Sequence, residues 1–179
     1  MGRSQAIAVG KVVLLFVIAA LLQTLVVSRV SVLGVGADLF LIFTVIVALS
    51  HGSMWGAVFG FVAGVAADIA YLQPLGLRAL VYVVTAYSLG VLAARFGAGS
   101  LWVVFLYTGG ASLAAQFVFG LFQYIMGPRE GLLTMLGTQI LPEAVLDALL
   151  ALPIYLLLLR LRVVPAPHAE PARAVRASE

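Results

Sequence analysis

Cysteine is absent from the 179 residues, which excludes a disulfide framework, a thiolate metal site and a cysteine nucleophile. Histidine is nearly absent. There are two, His51 and His168, and His168 lies in a Pro/Ala-rich tail. A lone His51 cannot build a histidine metal cluster. Charge is scarcer still for a chain of this length, with 10 Lys and Arg and 7 Asp and Glu. Between Val12 and Leu159 only 9 of 148 residues are charged. In a soluble domain about a quarter of the residues are charged, because they must cover the surface. The shortage excludes a soluble enzyme, a nucleic-acid module and a disordered chain. What is present in excess is apolar: 64% of residues are hydrophobic and mean hydropathy is +1.18. Such a chain reads as an integral membrane protein of one domain.

The apolar runs place six spans. The first runs from Val12 to Val27 and is closed by Ser28-Arg29. No small-residue cleavage site follows it, so it reads as a retained span rather than a signal peptide. The second is Leu39 to Leu49, extended outward through Val32 to Asp38, and the third runs from Met54 to about Leu72. Only His51-Gly52-Ser53 separates these two. The strictly apolar part of span two is short for a hydrocarbon core that needs about 20 residues. Spans two and three therefore either cross fully or form a re-entrant hairpin. Span four is Leu77 to Ala94, span five Leu101 to Met126, and span six about Ile140 to Leu159. Residues 1–162 form the six-span domain, and 163–179 read as a disordered cytoplasmic tail.

Six spans put both termini on one side of the membrane. That side would hold Arg3, Lys11, Arg95, Arg160, Arg162, Arg173 and Arg176, against Arg29, Arg78 and Arg129 on the other. Seven against three favours cytoplasmic termini. Trp55 and Trp102 then fall at cytoplasmic ends of their spans, where aromatic anchors belong. The net charge of +3 follows from this pattern and gives no reason to expect a nucleic-acid partner.

Three groups of residues carry information. Gly52, Gly56, Gly60 and Gly64 step by four along span three and end at Asp68. A step of four stays on one helix stripe, and glycine lets another helix approach closely. Contact within this bundle and contact with a partner helix both fit. Span five carries a second row, Thr108, Ser112, Gln116, Gly120 and Tyr124, with Ser112 and Gln116 near mid-membrane. It suits helix packing or the lining of a cavity. The acids Asp38, Asp68, Glu143 and Asp147 fall with Arg78 in the outer half and suggest a polar outer network or a groove opening outward. Asp38 and Glu143 read as interfacial acids at helix ends, and Asp68 and Asp147 as buried and paired. Pro153 should kink span six. No phosphate loop, Ser/His/Asp set or metal-ligand spacing is present, so neither catalysis nor a cofactor is expected.

From Ala37 to Ala93 the chain reads Ala-Asp-Leu-Phe-Leu-Ile-Phe, then a Gly-stepped run from His51 to Asp68, then Pro-Leu-Gly-Leu-x-Ala-Leu and Tyr-x-x-Gly. Together with Pro-Glu-Ala-Val-Leu-Asp-Ala-Leu-Leu-Ala-Leu-Pro-Ile-Tyr in span six, this resembles the rod shape-determining protein MreD family. The resemblance covers about 150 residues, all but the tail. It implies a non-enzymatic scaffold of the bacterial cell-elongation machinery in the cytoplasmic membrane. The implied partners are MreC foremost, then RodA, a class B penicillin-binding protein, MreB and membrane lipid, with self-association left open. The implied fold is an all-α six-helix membrane bundle, similar to the substrate-binding subunits of energy-coupling-factor transporters. Small-molecule transport is accordingly the alternative function.

Overall fold

The computed structural model describes residues 3–25, 36–72, 74–97, 100–126, 134, 136–161 and 163–164. Among these the secondary structure is helical, with no strand. Six α-helices follow in order: α1 (Arg3–Leu25), α2 (Leu39–His51), α3 (Ser53–Ala70), α4 (Leu77–Phe96), α5 (Leu101–Met126) and α6 (Leu141–Arg160). A π-helical turn, Leu136–Ile140, leads into α6. The helices alternate in direction. One end of the bundle carries Arg3 and Arg160, and the other, called distal here, carries Asp38, Asp68, Arg78 and Glu143.

Helix α2 is the central post. Each residue from Leu39 to Ala48 is buried, and the helix touches α1, α3, α4, α5 and α6. Its sequence explains the placement, since it is apolar all round and has no polar stripe to turn toward an interface. Its 13 residues reach about 20 Å, short of a hydrocarbon core of about 30 Å. That deficit costs little, because protein rather than lipid surrounds the helix. Its Asp38 end meets Arg78 in the first turn of α4, and α3 begins where Ser53 lies against Gly90. Helices α2 and α3 therefore form an antiparallel pair running the same length as α4 between Arg78 and Gly90.

The stretches Ser53–Ala70, Leu77–Phe96, Leu101–Phe122 and Leu136–Arg160 are long and apolar enough to cross a membrane. Their outward faces carry Met54, Val58 and Phe61 on α3, Leu80 and Val84 on α4, and Leu149 and Leu157 on α6. The inner faces pack an aromatic core. Phe16 sits 6.4 Å from Phe40 and 6.2 Å, edge-on, from Phe59. Helix α6 runs through Pro153, which lies on an exposed position. After α6 the chain turns back, and the buried Val164 donates its N–H to the Leu158 carbonyl at 3.5 Å. The rest of the expected tail, Arg29 and Arg129 lie outside the described residues.

The glycine stripe serves contact within the chain. A Cβ on Gly56 would stand 2.5 Å from the Ala48 Cβ on α2. On Gly60 it would stand 2.9 Å from the Tyr82 carbonyl oxygen and 3.1 Å from the Thr44 Cγ2. On Gly64 it would meet Ala79 Cα at 2.3 Å. The stripe is thus wedged between α2 and α4 and is not open to a partner helix. Gly52 has another task. With φ +88 and open space around it, it makes the turn from α2 into α3.

Candidate functional site

Polar side chains of all six helices meet at the distal end, starting from the N-terminus of α2. Asp38 is its N-cap, and one carboxylate oxygen accepts the Leu41 N–H at 3.2 Å. The other oxygen accepts Arg78 Nη1 at 2.9 Å and the Tyr82 hydroxyl. Arg78 and Tyr82 are four residues apart on α4 and so share one face. The guanidinium also bonds the Tyr82 hydroxyl at 3.2 Å. It is held between two aromatic rings, 4.4 Å from the Tyr71 centroid and 4.5 Å from that of Phe119. Asp38 is 2% exposed and Arg78 is 8% exposed, so this ion pair is removed from solvent.

The network continues into α5 and α6. Asp147 is fully buried. It accepts the Asp38 N–H at 2.9 Å and the Ser112 hydroxyl at 2.5 Å. One turn outward on the same face, Glu143 accepts the Gln116 side-chain N–H. Helices α5 and α6 come close enough for this because small residues meet, with a Cβ on Gly109 only 3.3 Å from that of Ala148. From α1, Gln23 accepts the Leu39 N–H at 2.9 Å, and its amide donates to the Ala37 carbonyl at 3.3 Å and to the Tyr71 hydroxyl.

Asp38 is not an interfacial acid. The expectation fails because Arg78 reaches it from α4, which nothing in the local sequence of α2 reveals. Glu143 is half-buried and bonded to Gln116 rather than free at a helix end. Asp68 is fully buried as expected, but among the described residues its partners are backbone groups. It accepts the N–H of Gly76 at 2.7 Å and of Arg78 at 3.1 Å. Helix α4 has Gly76 at its N-cap and no side-chain cap of its own, so Asp68 supplies the anion its N-terminus needs. Asp68 thereby holds the backbone of Arg78 in place. Ser112 and Gln116 do not form a separate mid-membrane row, because each bonds an acid of α6. Further along that row, Gly120 is buried and Tyr124 is exposed.

Sequence reasoning missed Gln23, Tyr71, Tyr82 and Phe119. Tyr82 carried a usable signal, lying one helical turn from Arg78. Gln23 carried a weaker one, as the side-chain amide of an otherwise apolar span. Tyr71 and Phe119 look like any other aromatic residue of a membrane protein. Among the described residues no group of three or more His, Cys, Asp or Glu could hold a metal ion.

The fold and the site define a multi-pass helical membrane protein whose spans converge on a buried, hydrogen-bonded polar cluster at one end. No curated protein and no solved structure matches the chain. The family model of the rod shape-determining protein MreD matches residues 4–162, so the chain belongs to the MreD family. Its role therefore lies in determining rod shape, and the family is a structural one.

Proposed function

We propose that the chain is a non-enzymatic scaffold of the cell-elongation machinery in the bacterial cytoplasmic membrane, binding MreC through membrane helices. The carrying observation is the family match over residues 4–162. RodA, a class B penicillin-binding protein and MreB belong to the wider assembly, with membrane lipid around it. The glycine stripe is used up between α2 and α4, so the partner helix docks on an outward face. On α3 that face carries Met54, Val58 and Phe61, exposed at 72%, 51% and 57%. In lipid, such a contact is driven by close packing rather than by burial from water.

Affinity purification of the tagged chain from its native membrane in mild detergent, followed by mass spectrometry, tests the partner. MreC is expected to be the principal protein recovered. Recovery of paired ATPases with a coupling membrane subunit would overturn the reading.

Both termini lie in the cytoplasm in this reading, as the seven-to-three basic asymmetry indicates. A cysteine-free chain makes the test clean. In intact cells a membrane-impermeant maleimide is expected to label Thr138→Cys, at the exposed distal end, and to label Ser100→Cys only after permeabilisation. The reverse pattern would invert the topology.

A further inference from the structure

The membrane-facing helices of this bundle differ in length. Helix α3 has 18 residues and reaches about 27 Å, short of a hydrocarbon core of about 30 Å. Helix α5 has 26 residues and reaches about 39 Å. The difference falls at the distal end. There the Arg78 guanidinium stacks on Tyr71, the C-cap of α3, at 4.4 Å and on Phe119 of α5 at 4.5 Å. The end of α3 is therefore level with Phe119. Beyond Phe119, α5 continues through residues 120–126, about 10 Å along its axis. That continuation stays apolar, with Phe122 and Ile125 exposed. The distal rim is stepped, low at the α3–α4 turn and high at α5.

The low edge is itself apolar. Leu72 is 94% exposed and Leu75 is 74% exposed. Leu72 also has φ +53, a left-handed backbone that Gly or Asn adopts more readily. A turn standing in water would gain from either residue there and gains nothing from leucine. The backbone donors are largely satisfied from within. Tyr71 donates its N–H to the Ala67 carbonyl at 2.9 Å, Leu72 to Ile69 at 3.4 Å and Leu77 to Pro74 at 3.4 Å. Gly76 and Arg78 donate theirs to the Asp68 carboxylate. Pro74 has no N–H, and Leu75 is the described turn residue whose N–H has no acceptor among the described residues. Acyl chains offer backbone groups no partner, so a turn that satisfies its own donors suits the edge of the hydrocarbon core. We propose that the α3–α4 turn is a lipid-binding ledge inserted in the distal leaflet, with Leu72 and Leu75 against acyl chains below the height that α5 reaches. A leaflet matched to α5 covers the turn, and one that dips to α3 meets it. Both bring acyl chains onto the two leucines. The ledge rests neither on the docking of MreC nor on which side of the membrane the distal end faces.

The test uses the full chain in nanodiscs of a zwitterionic phospholipid. Because the chain has no cysteine, nitroxide labels can be placed one at a time. Leu72→Cys and Leu75→Cys are the probes. Val84→Cys, on the outward face of α4, is the lipid reference, and Ser100→Cys is the aqueous one. Power saturation with oxygen and with a water-soluble nickel complex is expected to give both probes an oxygen-to-nickel preference several-fold above that of Ser100→Cys. A preference no higher than that of Ser100→Cys would overturn the proposal by standing the turn in water. Low accessibility to both reagents would overturn it too, by placing a protein surface such as a second copy over the turn. Stability reads the same surroundings. Leu72→Asn and Leu72→Gly both suit the left-handed backbone, and Gly in addition loosens the unfolded chain. In water Asn would therefore match or exceed Gly. Against acyl chains the Asn amide is desolvated, and the melting temperature of Leu72→Asn is expected to fall below that of Leu72→Gly. The opposite order would overturn the ledge.

Discussion

Gly64→Ala is expected to cost about 3 kcal/mol of stability, and Gly64→Leu to leave no folded protein in the membrane. A single added Cβ would stand 2.3 Å from Ala79 Cα, 2.5 Å from Ala79 N and 2.8 Å from the Arg78 carbonyl carbon. All three are backbone atoms, so no side chain can rotate away. Helix α3 or α4 must shift instead. That shift would move Arg78 from Asp38 and separate Asp68 from the N–H groups that it caps. The steric cost thus spreads into the polar cluster. Gly110→Ala is the matched control. Gly110 lies exposed on α5 with nothing within 4 Å, and the change is expected to be neutral or to stabilise by about 0.5–1 kcal/mol through helix propensity. Thermal unfolding followed by size-exclusion chromatography measures both. Equal melting temperatures for Gly64→Ala and the wild type would show that α3 and α4 do not pack this closely.

Arg78→Met is expected to destabilise the protein by about 3–5 kcal/mol, because it strands the Asp38 carboxylate in an apolar surrounding. Among the described residues, the side chain of Asp38 would keep the Tyr82 hydroxyl and the Leu41 N–H. The stacking of the guanidinium on Tyr71 and Phe119 would also be lost. Removing both charges in Arg78→Met with Asp38→Asn is expected to recover more than half of the loss. Breaking a buried pair costs more than replacing it whole. Arg95, exposed near the other end of α4, gives the comparison, and Arg95→Met is expected to stay within about 0.5 kcal/mol of the wild type. The double-mutant cycle is read from unfolding in detergent. If Arg78→Met falls no further than Arg95→Met, the buried pair does not organise this end of the bundle.

The two expectations share one origin. Gly64 sets how near α3 approaches α4, and that approach decides whether Asp68 can cap Gly76 and Arg78. Asp68 then fixes the turn from which the Arg78 side chain reaches Asp38. A stripe that reads in one dimension only as a face of close helix contact supports the polar site in three.

Much of this was legible beforehand. Charge scarcity and the lengths of the apolar runs determined a membrane bundle of six helices, because lipid demands long apolar helices that satisfy their own backbone hydrogen bonds. The four-residue step of Gly56, Gly60 and Gly64 determined that one face of α3 would be approached closely. The motifs from Ala37 to Ala93 pointed to the MreD family. Which surface fills that stripe was left open, and only the packing of Ala48, Thr44 and Ala79 against it decided the matter. The short run of span two looked like a defect until α2 proved to be enclosed on all sides, since a helix screened from lipid need not match its thickness. Asp38 and Arg78 are 40 positions apart, and their pairing depends on the relative placement of α2 and α4. Periodicity reports which face of a helix is apolar. It carries no information on which polar group of another helix waits at the same depth, and that alone separates an interfacial acid from a buried ion pair.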